Sequence, residues 1–234
     1  MIPDQEKRIE NYLLSIGLAY NIMLEIKDHM ISQVNEIMNT GEDFETAFRE
    51  AKKEWEPELK TVNMFLLSSG RMPKIQKRML TKESNLLWTK AFGFSLSVIF
   101  LFFAFSKIFS KEIFIITYSI YYYVLGISIA VYIIVNYQIF LVKRRYNYLK
   151  ITGTQYLMTT IFTGLLYVLL EIISLDYRPT KVYDYFNLVG QLKLSPLLWF
   201  LLSNSFIAYG VMAFTKYKKD VKAVQHHLNT TTSC

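Results

Sequence analysis

Few side chains in this 234-residue chain are placed for chemistry, and they are scattered. Glu25 and His29 lie four apart, so on a helix they share a face, with Asp28 beside them. A carboxylate and an imidazole at that spacing can share a metal ion. However, no second histidine or cysteine falls in the first 90 residues. His226 and His227 are adjacent and diverge by about 100° on a helix. A zinc-protease helix, with histidines bracketing a glutamate, is absent. The expectation is a surface pairing of His29 with Glu25 or Asp28, and no metal.

Glu171 is the one acid well inside a long apolar run. A carboxylate within a bilayer marks a functional contact by default. Here Asp176 and Tyr177 follow closely, which puts Glu171 at the end of its helix, where headgroup water reaches it. An interfacial, partly hydrated Glu171 is therefore expected. Asn136 and Asn204, in the second and fourth runs, would seek partners across helices. Helix-to-helix glue is the expected role, and a polar path between spans two, three and four is the alternative. No phosphate-binding glycine loop and no nucleophile elbow occurs, so neither an enzyme nor a cofactor is expected. The lone Cys234, at the last position, builds no disulfide framework and reads as an incidental thiol in a frayed tail.

The elements that must position these residues are helices in lipid. Apolar residues make up 52% of the chain, with 17 Phe and 17 Tyr, yet most acids crowd into the first 90 positions. Four apolar runs follow, at 91–109, 113–142, 151–175 and 196–217. About 20 apolar residues cross a ~30 Å hydrocarbon core. Fourteen Lys and Arg residues flank the runs on one side, among them Arg71, Lys90, Arg144, Lys150 and Lys218. Five lie on the other: Lys107, Lys111, Arg178, Lys181 and Lys193. Basic residues stay in the cytoplasm, so four spans with both termini cytoplasmic are expected. The first ten residues lack an apolar leader segment, so the first span is expected to act as its own insertion signal. The net charge of +7 then reflects topology and attraction to anionic lipid, not nucleic acid.

Residues 1–70 read as a small helical module on the cytosolic side. Ile9, Tyr12, Leu13 and Ile16 recur at helical spacing before Gly17. A second helix ends at Gly41, which accepts the left-handed backbone beyond a helix. Asp43 can cap a third, striped with Phe44, Phe48 and Trp55, which is expected to pack within the module and is also the candidate partner face. Pro57 suits the first turn of a further helix. Residues 71–90 read as a basic linker or interfacial helix, and 218–234 as a cytosolic tail. So small a bundle buries little surface. Remaining apolar surface is expected to meet the membrane domain, a second copy in a homo-oligomer, or a protein partner.

Glu25, Ile26 and His29, then Gly41, then Glu45, Thr46, Ala47, Glu50 and Ala51 carry a resemblance. They look like a small bacterial helical module of the pattern E-I-x-x-H, a glycine turn, and E-A-x-x-x-A. That module precedes transmembrane segments in ABC-type permeases and in membrane proteins associated with PadR-type repressors. The resemblance covers about 9–59 and breaks after Ala51, where Lys52 to Pro57 replace the module's small residues. It implies a cytosolic sensing or docking module and no chemistry.

The chain is thus expected to be an all-α protein of a bacterial inner membrane, with an N-terminal cytosolic helical module and a four-helix membrane domain. The expected role is a non-enzymatic regulator or accessory subunit that docks a protein. The alternative is a small transporter or permease component.

Overall fold

The computed structural model describes residues 2–63, 70–145, 152–190 and 193–231. Cys234, Lys150 and the stretch 64–69 lie outside the described residues. The chain is mostly helical and divides into two units.

The first unit gathers Met1–Glu83, Leu141–Gln155 and Lys219–Cys234. Helix α1 (Pro3–Ser15) starts on a proline, whose fixed φ suits a first turn. Gly17 (φ 74°) and Gly41 (φ 102°) follow the ends of α1 and α2 (Tyr20–Asn39), in the left-handed region that favours glycine. Helix α3 (Phe44–Leu59) opens on Asp43, whose carboxylate accepts from the Thr46 backbone N–H at 2.8 Å. That bond holds the Asp43 carboxyl below its ordinary range. The Arg8 guanidinium does the same to Glu45.

Ile9, Leu13, Met23, Met30, Val34, Ala47 and Ala51 are fully buried in the first unit. Phe44 stacks on Phe48 at 5.5 Å, and Tyr12 meets Phe48 edge-on at 5.8 Å. The aromatic stripe is therefore consumed inside the bundle, and Phe44 and Phe48 offer no free partner face. Trp55 sits half-buried at the rim, its indole N–H donating to Gln33 Oε1 at 2.9 Å.

Two expectations are corrected in this unit. Pro57 opens no new helix but lies in the last turns of α3. A short antiparallel ladder, β1 (Thr61–Asn63) with β2 (Arg71–Pro73), interrupts the all-α pattern, pairing Val62 with Met72. Of the two forms expected for the basic stretch 71–90, a linker or a helix, the helix is found: α4 runs unbroken over Lys74–Ile108. Its first turn is fixed by the buried Gln76, which accepts from the Ala19 N–H at 3.1 Å.

The second unit comprises Ser84–Phe140 and Tyr156–Lys218. Its helices are the rest of α4, α5 (Lys111–Val135), the start of α6 (Tyr137–Arg145), α7 (Thr160–Ile173), α8 (Arg178–Phe186) and most of α9 (Ser195–Thr231). Among the described residues, three helices are long and apolar enough to cross a membrane: Lys74–Ile108, Lys111–Val135 and Ser195–His226. A fourth crossing exists only if α7 and α8, bent by 85°, are counted together. The expected second run breaks at Asn136, whose Nδ2 donates to the Tyr132 carbonyl at 2.8 Å. An amide that captures its own helix's carbonyl competes with the backbone ladder. The expected third run becomes α-helical only at Thr160, after a short 3₁₀ turn (Gly153–Leu157).

Polarity in this unit is inverted. Large apolar side chains such as Phe100 (68%), Ile127 (65%) and Ile134 (67%) are exposed, whereas Ser95, Glu171, Ser203 and Asn204 are buried. That is the pattern of helices that face hydrocarbon and close their polar groups on each other. Along α5, Phe114, Tyr118 and Tyr122 are buried at spacings of four, and Gly126 extends their row against Val168. Gly164 and Gly210 let α7 and α9 pack backbone to backbone.

Candidate functional site

The interior of the second unit holds a chain of polar side chains on a wall of rings. Tyr118, Tyr121 and Tyr122 come from α5, and Asn204 and Ser203 from α9. Asn204 is 1% exposed and fully engaged. Its Oδ1 accepts from the Tyr121 hydroxyl at 2.7 Å. Its Nδ2 donates to the Tyr122 oxygen at 2.9 Å and to the Phe200 carbonyl at 2.8 Å. Tyr122 also lies 3.4 Å from Ser203 Oγ, and its ring is 5.0 Å from that of Tyr118.

Tyr118 leads to the acid. Its hydroxyl donates to Glu171 Oε2 at 3.0 Å. The Arg178 guanidinium reaches the same oxygen at 3.0 Å, from the start of α8. The Arg178 nitrogen meets the distance of an ion pair but not the angle of a hydrogen bond, so this contact is chiefly a charge contact. Glu171 is 0% exposed and Arg178 is 9% exposed. The expectation of a hydrated, interfacial Glu171 is thereby corrected: the side chain is sealed, and a cation rather than water compensates its charge. Glu171 Oε1 has no hydrogen-bond partner among the described residues, and neither has the buried Trp199 Nε1.

The other residues singled out in sequence lie elsewhere. Asn136 bonds within its own helix at the α5 break and is not part of this chain of contacts. Glu25, Asp28 and His29 are all exposed on α2. Among the described residues, no three His, Cys, Asp or Glu side chains gather in a cluster able to hold a metal. Tyr118, Tyr122 and Arg178 are the partners that sequence reasoning missed. The four-residue spacing of Phe114, Tyr118 and Tyr122 was the available signal for the tyrosines.

More pairings run along α9. Ser84 Oγ meets the Tyr209 hydroxyl at 2.9 Å, Ser95 donates to the Leu201 carbonyl at 2.7 Å, and Tyr132 meets Thr215 at 3.0 Å. Trp88 stacks on Tyr209 at 4.3 Å. Two cavities adjoin this framework. One, of about 500 Å³, is almost wholly apolar and is walled by α4, α8 and α9 at residues including Phe100, Phe103 and Phe186. The other, of about 210 Å³, is bounded by Tyr177, Arg178, Ser195, Pro196 and Trp199. Glu171, Asn136 and Asn204 line neither.

Chemically, the arrangement neutralises an acid and joins helices. Comparison with family models, curated proteins and solved structures returns no match to the chain.

Proposed function

We propose that this chain is a multi-pass protein of a bacterial inner membrane and a non-enzymatic regulator or accessory subunit. The bent α7–α8 pair counts as one of four crossings, and both termini lie in the cytoplasm. The N-terminal helical module docks a protein partner, and the spans anchor it. One observation carries this reading: the buried amide of Asn204 inside the membrane unit closes on Tyr121 and Tyr122. A transporter needs such groups to converge on a water-accessible path, whereas an anchor uses them as joints. The likeness of 9–59 to modules that precede membrane segments supports the docking role. Because Phe44 and Phe48 are spent in the core, docking falls to the polar outer faces of α2 and α3, where Glu25, His29 and Glu50 are exposed.

The alternative, a small permease component, draws on the sealed Glu171 and its unpartnered Oε1. It ranks second because Arg178 already compensates that carboxylate. The test is photo-crosslinking from positions 29 and 50 of the full chain in native membranes. A discrete protein adduct is expected. Solute flux in proteoliposomes that is abolished by Glu171→Gln or Asn204→Ala, with insertion intact, would instead establish the permease.

A further inference from the structure

The start of α9 and the bend before α8 share a feature that the anchor role does not use. The cavity of about 210 Å³ is walled by Tyr177, Arg178, Ser195, Pro196 and Trp199. We propose that it binds a phosphate group, supplied either by the headgroup of an anionic membrane lipid or by free phosphate.

Three independent donors meet there. Arg178 is 9% exposed and lines the cavity. One of its nitrogens faces Glu171 and its side chain also bonds Tyr177, which leaves part of a five-donor fork for a ligand. Its guanidinium lies over the Trp199 ring at 4.9 Å and over the Tyr177 ring at 5.9 Å, which holds the plane in place. Trp199 also lines the cavity, and its buried indole N–H has no partner among the described residues. An unsatisfied buried donor costs free energy, and a ligand acceptor would relieve that cost. The third source is the N-terminus of α9, a helix of 37 residues, at Ser195. Pro196 carries no N–H, so this terminus offers fewer backbone donors than most, and it favours an anion chiefly through its partial positive charge.

A planar cation, a neutral N–H and a helix N-terminus together suit an anion with several acceptor oxygens. Phosphate matches this set through the arginine fork and one further oxygen for the indole. The competing acid is Glu171, but its Oε2 already takes both Tyr118 and Arg178, so the α9 terminus supplies the remaining positive potential. Aromatic walls are the usual lining at headgroup depth. This inference stands on the local geometry and does not require the docking role.

The experiment uses the full chain in nanodiscs, read by native mass spectrometry and calorimetry. One arm uses phosphatidylcholine with phosphatidylglycerol. The other uses phosphatidylcholine alone with added inorganic phosphate. Trp199→Phe keeps an aromatic ring and deletes the N–H, and Arg178→Lys keeps the charge beside Glu171 and deletes the fork. Each lost hydrogen bond to a charged group should weaken binding by roughly tenfold or more. Retention of phosphatidylglycerol that both variants weaken identifies the lipid as the source. Saturable inorganic-phosphate binding with the same dependence identifies free phosphate. The proposal fails if neither ligand binds, or if both variants bind as the parent does.

Discussion

A methyl group at Gly210 tests most sharply how α7 and α9 meet. A Cβ there would lie 2.6 Å from the Thr160 carbonyl oxygen and 3.2 Å from Ile161 Cα. Both are backbone atoms, so no rotamer change relieves the clash. Restoring ordinary contact requires α7 to retreat by about 0.8 Å, which also loosens the neighbouring close approach at Gly164, where an added Cβ would lie 3.3 Å from Ile207 Cα. Overpacking of this kind costs roughly 1–3 kcal/mol, and a rigid backbone contact belongs at the upper end. Against that, exchanging glycine for alanine in a helix gains about 1 kcal/mol. Gly93 is the control, because a Cβ there meets nothing within 4 Å. Gly93→Ala should therefore be neutral or raise stability by up to about 1 kcal/mol. The difference between Gly210→Ala and Gly93→Ala cancels the propensity gain and leaves about 3 kcal/mol of packing loss. Unfolding of the full chain by SDS in mixed micelles, followed by near-UV circular dichroism, measures it. Equal midpoints for the two variants would refute the close packing of α7 on α9.

Phe48→Ala empties a buried ring position in the helical module and should cost about 3–5 kcal/mol. Hydrogen exchange of α1–α3 amides in the full chain should then rise together, and unchanged protection would remove Phe48 from the core. Asp43 and Glu45 have carboxyls held below their ordinary values, so their contribution is complete above the ordinary carboxylate range and disappears as pH falls below it. The first turn of α3 should fray on acidification, and Asp43→Ala should already be frayed at neutral pH; identical exchange of the Thr46 amide in both proteins at neutral pH would contradict the cap. Glu171→Gln leaves the Arg178 cation buried and unpaired and should destabilise by about 3–5 kcal/mol. The double variant Glu171→Gln/Arg178→Gln should lose clearly less than the two single losses combined, and strict additivity would dissolve the pair.

Legibility followed physical range. Local signals held: Gly17 and Gly41 stand after helix ends, and Asp43 caps α3. The membrane character was readable because hydrocarbon demands long uninterrupted apolar helices, and α4, α5 and α9 satisfy that demand. Features set by pairing at a distance were not readable. Val62 and Met72 form a ladder across a gap in which neither segment carries a strand-like alternation of its own. Asn136 looked like an interhelical partner, yet its amide finds the Tyr132 carbonyl one turn back. The glycines sorted only in three dimensions: Gly126, Gly164 and Gly210 meet a neighbouring helix, while Gly93 meets open space.

Glu171 shows why the site itself was misjudged. Arg178 lies seven positions further on, so on one helix the two would share a face. Yet a straight helix would set them roughly 10 Å apart along its axis, too far for a tight pair. The 85° bend between α7 and α8 brings the guanidinium back to 3.0 Å. Both components of that bend are local. Ser174 donates to the Leu170 carbonyl at 2.8 Å, and Pro179 can begin a helix but not continue one through the turn. The burial of the acid and the break in the span are thus one event. A run that continued straight would carry Glu171 toward headgroup water, as its position in the sequence implies. A run that turns after Ile173 supplies its own counter-ion and needs no water. Replacing Pro179 with alanine should therefore act on Glu171. If the bend relaxes, carboxylate accessibility to a water-soluble carbodiimide should rise from near zero. Protection equal to that of the parent protein would show that the ion pair holds the bend without help from the proline.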